Sequence, residues 1–117
     1  MAITTSMASD SVAILSCSGR LTMVAAAQLT VAINAAVEAG RTRIVVDLTE
    51  VSFIDSSCLG ALIAGLKKAR HAAGDLRISC AGPAVRTVLS LTNLDRVIPN
   101  HATVDVAMAD WSSAADG

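Results

Sequence analysis

The sequence predicts a single α/β domain: a mixed, mostly parallel sheet of about four to five strands with about four helices, in the order ββαβαβαβα. Three observations carry this reading. Short runs rich in β-branched residues alternate with longer segments whose apolar residues recur at helical spacing. Gly40, Gly74 and Gly82 fall between those segments, where the chain has to turn. The 117 residues suffice for one domain and not for two. A chain of this length buries roughly 65% of its unfolded surface, enough for a core without disulfides or metals.

The elements follow in order. Ile3 to Met7 reads as a weak first strand, and Ser11 to Cys17 as a second, broken by Gly19. The polar Ala8-Ser9-Asp10 between them suits a hairpin turn, which makes the first strand antiparallel. Thr22 precedes an Ala-rich helix from Val24 to Ala39, with Leu29, Ala32, Ile33, Ala36 and Val37 at helical spacing. Arg43 to Leu48 is a continuous apolar run, the mark of a strand buried on both faces. The next helix carries Leu59, Leu62, Ile63 and Leu66 on one stripe, then Lys67, Lys68 and Arg70. Leu76 to Cys80 is another strand. Gly82-Pro83 opens a short helix faced by Val85, Val88 and Leu89, extended by Leu91. Val97-Ile98 is expected as a short last strand, Thr103 to Trp111 as a terminal helix, and 113–117 as a flexible tail after a domain spanning 1–112.

Composition narrows the function. Aromatics are 2% of the chain, Phe53 and Trp111, so the core is aliphatic and no stacking platform for single-stranded nucleic acid is on offer. A net charge of −1 gives no basic surface for nucleic acid or anionic lipid. The apolar run from Leu59 to Leu66 is far short of the ~20 residues that span a bilayer, and Met1 to Ser6 lacks the basic and apolar parts of a signal peptide. The expected location is the cytoplasm. Cys17, Cys58 and Cys80 are widely spaced with no CxxC, so no zinc site or dithiol motif is expected and free thiols are. After packing the predicted helices no apolar stripe is left over, and the expected state is a monomer.

The richest stretch is Asp55-Ser56-Ser57-Cys58-Leu59-Gly60, where a strand-like run stops and a helix-like run starts. It places hydroxyls at a helix N-terminus, where backbone N–H groups lack partners and the dipole favours a phosphate. Asp55 is placed to accept from the N–H of Ser57 or Cys58 as an N-cap. A serine or cysteine nucleophile needs a nearby base. Of the two histidines, His71 would lie roughly 20 Å along the helix from Ser56, and His101 falls in a segment of unassigned position. No Gly-x-Ser-x-Gly elbow, P-loop or Gly-x-Gly-x-x-Gly occurs, so no enzyme is expected and no cofactor is implied. Asp47, Glu50 and Asp55 bring Mg²⁺ to mind, but capping by Asp55 and a solvated Glu50 account for them without a metal.

The run Val46-Asp47-Leu48-Thr49-Glu50-Val51-Ser52-Phe53-Ile54-Asp55-Ser56-Ser57-Cys58-Leu59-Gly60 resembles the signature of STAS domains, above all the bacterial anti-sigma factor antagonists. Gly19-Arg20-Leu21, Ala81-Gly82-Pro83-Ala84-Val85 and Leu91-Thr92-Asn93-Leu94 resemble flanking family segments. The resemblance implies a STAS-like fold and a partner switch: the unmodified protein binds an anti-sigma factor that is also a serine kinase, phosphorylation ends the binding, and a phosphatase resets it. It implies Ser56 as the phosphorylation site, and Thr22, Asp55, Ser56, Ser57, Cys58, Leu59 and Gly60 as the partner-binding set. Two residues depart from the family pattern. Cys58 stands where Gly is usual: its side chain adds bulk at the first turn that would crowd a partner if it faced outward, and a thiol at a helix N-terminus tends to a lowered pKa and a redox role, but packing is the use expected of it. Thr22 stands where an Asp is frequent. The alternatives are an unphosphorylated STAS interaction subunit of a stress-signalling or transporter complex, and a nucleotide-binding regulatory domain.

Overall fold

The computed structural model describes residues 2–116, with side chains described for residues 2–111; the expected tail, 113–117, lies outside the residues whose side chains are described. Five strands, β1 (Ala2–Met7), β2 (Val12–Leu21), β3 (Arg43–Ile54), β4 (Asp75–Ser79) and β5 (Asn100–His101), form one sheet in sequential order. Four helices connect and follow them: α1 (Met23–Glu38), α2 (Ser56–His71), α3 (Pro83–Leu91) and α4 (Val104–Asp116). A 3-10 turn spans Leu94–Arg96. β1 runs antiparallel to β2, and every other pairing is parallel. The ββαβαβαβα order and the mixed sheet are as the sequence predicts.

Alternation along the strands sorts the core. Ala13, Leu15 and Cys17 of β2 and Ile44, Val46 and Leu48 of β3 join the main cluster with Leu29 and Ile33 of α1 and Leu62 and Leu66 of α2. Val12 and Val45 point to the other face, where Ala107 and Trp111 of α4 cover them. β3 is thus buried on both faces, as its unbroken apolar run requires. Arg77, on β4, fastens α4. Its guanidinium lies 4.1 Å from the Trp111 ring centre and donates twice to Asp110, at 2.6 and 3.0 Å, and once to the Ala107 carbonyl at 2.8 Å. The Asp110 hydrogen bond raises the Arg77 pKa, and Arg77 in turn lowers that of Asp110.

Three boundaries differ from the sequence reading, each for a physical reason. Gly19 does not end β2. It takes φ of 82°, open to glycine, and the ladder shifts register between Ser16 and Ser18 and again between Gly19 and Arg20. The strand therefore runs four residues past Cys17 to Leu21. β3 likewise continues beyond Leu48 to Ile54, because Ser18 to Leu21 give Glu50 to Ile54 a partner. The last strand is Asn100–His101 and not Val97-Ile98. Ile98 is 1% exposed because it fills the core from the connecting segment, its N–H held by the Leu94 carbonyl at 2.8 Å. Among the described residues no helix is long and apolar enough to cross a membrane.

The premise for a monomer is also corrected. α1 leaves Met23, Val24 and Val31 exposed at 72%, 65% and 68%, so one helix does carry an uncovered apolar flank. Its buried stripe, Ala25, Leu29, Ile33 and Ala36, takes up only one side.

Between α2 and β4 the chain passes close to the start of β3. A Cβ placed on Gly74 would collide with the Thr42 carbonyl oxygen, a backbone atom that is itself held by the Asp75 N–H at 3.1 Å. Gly74→Ala is therefore expected to cost about 1–3 kcal/mol. Urea unfolding checks this: the midpoint should fall with an unchanged slope.

Candidate functional site

The two lengthened strands end side by side. Leu21 pairs with Ile54, and the chain then turns into α1 through Thr22 and into α2 through Asp55. Two hydrogen bonds tie these turns together. The Asp55 N–H donates to the Leu21 carbonyl at 3.0 Å, and the Cys58 thiol donates to the Thr22 carbonyl at 3.2 Å. The Thr22 carbonyl also takes the first helical N–H of α1, from Ala26 at 2.9 Å. One carbonyl thus anchors the starts of both helices.

Asp55 is the N-cap of α2, in extended backbone, and its Oδ1 accepts from the Cys58 N–H at 3.1 Å. Of the two candidate donors, Cys58 is the one used. The ladder of α2 begins with Leu59 N–H to the Asp55 carbonyl at 3.1 Å, so the N–H groups of Ser56 and Ser57 precede it. Ser56 is exposed, Ser57 and Asp55 half-buried, and Gly60 exposed. Thr22 is half-buried and makes no side-chain cap bond on α1. Asp47 is occupied elsewhere, accepting from the Thr49 N–H at 3.0 Å and from the Thr49 hydroxyl.

Two members of the expected contact set face inward. Leu59 is 6% exposed and Cys58 is fully buried, so of that set only Thr22, Asp55, Ser56, Ser57 and Gly60 reach solvent. Cys58 packs inward, the use the sequence reading favours, and only the alternative of a lowered thiol pKa is corrected. Burial, then the nearby Asp55 carboxylate, pushes it up to about 11 from 9.0. Desolvation prevails here because the sulfur is buried and donates to the Thr22 carbonyl. Cys17 is pushed further, to about 12, by burial first and then by Cys58 and Asp47. The side chain of Cys58 therefore does not crowd the surface; it fills the space beneath it.

Sequence reasoning missed a second feature of the rim. The Arg20 guanidinium stacks 4.5 Å from the Phe53 ring centre, and the two residues are paired across β2 and β3. Met23 and Val24, both exposed, follow Thr22 into α1. The signal was available: Phe53 is the only Phe and lies two residues before Asp55, and Arg20 lies two before Thr22.

The comparisons agree with this geometry. The STAS domain model matches residues 6–107, and the chain belongs to that family. A Thermotoga maritima protein, provisionally named an anti-sigma factor antagonist, is 35% identical over 71 residues, 61% of this chain and 63% of its own. The chain thus spans under two thirds of the length of the curated relatives it matches. The crystal structure of an anti-sigma factor antagonist from Mycobacterium paratuberculosis is 35% identical and superposes with a TM-score of 0.78 over 93% of both chains. Unphosphorylated SpoIIAA, at 24% identity, shares the fold with a TM-score of 0.84 over 96% of this chain and 97% of its own.

Three outcomes are expected. Asp55→Ala removes the cap of α2 and should cost about 1 kcal/mol in urea unfolding. The buried thiols impose a pH limit. The unfolded chain ionises its cysteines near 9.0, while the folded chain keeps Cys58 and Cys17 protonated to about 11 and about 12. Between these values the unfolded state binds fewer protons, so their stabilising effect is complete below pH 9 and declines as pH rises towards 11–12. Unfolding titrations from pH 7 to 11 should show that decline, and iodoacetamide on the native protein should reach half-buried Cys80 ahead of Cys17 and Cys58.

Proposed function

We propose that this protein is an anti-sigma factor antagonist switched by phosphorylation at Ser56. In this reading the unmodified chain binds an anti-sigma factor that is also a serine kinase, and the sigma factor is released. The kinase phosphorylates Ser56, which ends the complex, and a phosphatase restores the free hydroxyl. The protein itself carries no catalytic step. The names borne by its relatives support the class. The observation that carries the switch is the exposure of Ser56 at the first position of α2, on a turn whose neighbours Cys58 and Leu59 are locked in the core.

The energetics fit such a role. A phosphate adds about −1.5 to −2 charge. On the free protein it would meet solvent and the orphan N–H groups at the start of α2, a favourable place for an anion. Under a partner it would be desolvated beside the Asp55 carboxylate, at a cost of several kcal/mol. Shifting a two-state equilibrium from 1:99 to 99:1 takes about 5.5 kcal/mol. One phosphate approaches that difference without refolding the domain. With Thr22 in place of the family's frequent Asp, the rim beside Ser56 is also less negative before modification.

Substitution tests this reading. Ser56→Asp is expected to weaken binding to the anti-sigma factor kinase by a hundredfold or more, Ser56→Ala to bind as the unmodified chain does, and neither to change the unfolding midpoint appreciably. Equal capture of all three forms by the kinase would remove the switch.

A further inference from the structure

Among the described residues β1 is an open edge of the sheet: it pairs with β2 on one side only. Edges of this kind are usually blunted by charge, proline or shortness. The opposite edge, β5, is two residues long and follows Pro99. β1 has none of these protections. Its six residues, Ala2-Ile3-Thr4-Thr5-Ser6-Met7, carry no charge and no proline. Residues 4–7 are exposed, with Met7 at 62%.

The helix beside that edge is equally unusual. From Met23 to Val37, α1 has no charged residue, although much of one flank faces solvent. Ile3 of β1 and Ala27, Gln28, Val31, Ala32 and Ala35 of α1 line a shallow apolar groove along the edge. All but Ile3, Gln28 and Val31 are alanines, so a second helix could come near.

We infer that this face is the interface of a two-fold dimer, in which β1 pairs antiparallel with β1 of a second copy. The open edge specifies the occupant: its unpaired N–H and C=O groups call for another strand. A two-fold axis normal to the sheet reverses the strand and keeps the sheet face. It therefore brings the second copy's α1 onto the same face, across the groove from the first. One operation thus covers both features, whereas a single bound strand would leave the flank of α1 wet. Self-pairing also sets each residue near its own equivalents, where like charges would repel. The uncharged run of β1 and the uncharged flank of α1 meet that condition together. The inference stands apart from the switch at Ser56, which neither β1 nor Val31 includes.

Sedimentation velocity on the full chain from about 5 to 500 μM tests it. The unmodified protein is expected to pass from monomer to dimer within that range. Thr5→Lys on the edge and Val31→Lys on the flank are each expected to weaken the dimer tenfold or more. Both positions are exposed, so the monomers should keep the thermal midpoint of the unmodified chain. A monomer at every concentration overturns the inference, as does a dimer that survives both substitutions. Loss of the dimer in only one variant contradicts the joint use of strand and helix.

Discussion

The structure depends on the join between two crossovers. The carbonyls of Leu21 and Thr22 receive the Asp55 N–H and the Cys58 thiol, which fixes the start of α2 against the start of α1. Without that join the turn carrying Ser56 would be an exposed loop hung from one strand. With it, the hydroxyl stands on a platform set by both strands and both helices. On the function proposed above, a surface held this way would lose little entropy when a partner arrives, and small chemical changes on it would register as changes in affinity.

The same join explains Cys58. The family resemblance implies a glycine at that place, and a side chain there raises the choice between packing and reactivity. Here the thiol is turned inward, donates to a carbonyl, and is raised well above its usual range by burial. It acts as a donor that braces the turn. A thiolate would be destabilising at that position, since it would face the Thr22 carbonyl and Asp55 together.

Most of the fold was legible because the core is simple. Apolar runs rich in β-branched residues, and apolar residues at helical spacing, place β2 to β4 and α1 to α3 without reference to tertiary contacts, while β1, mostly polar, reads only weakly. What the pattern hides is pairing. Nothing in Thr49-Glu50 reads as strand; it is strand because Ser18 and its neighbours lie alongside. Gly19 looks like a stop and is a paired strand residue beside a register shift, and Ile98 looks like a strand residue and is a core filler. The site was legible where chemistry is local, as in the Asp55 cap and the exposed Ser56. It was illegible where direction matters. Whether Cys58 points out or in, and whether α1 leaves a flank uncovered, follows from the angle at which helices meet the sheet.

The account holds that a phosphate on Ser56 is read as surface charge on an unchanged platform. Amide ¹H–¹⁵N spectra of the unmodified and Ser56-phosphorylated chains test this directly. The account predicts shifts confined to residues 20–24 and 53–60, with the core strands and α4 unmoved. Shifts spread through β2, β3 and α1 would show that the phosphate remodels the fold and would contradict it.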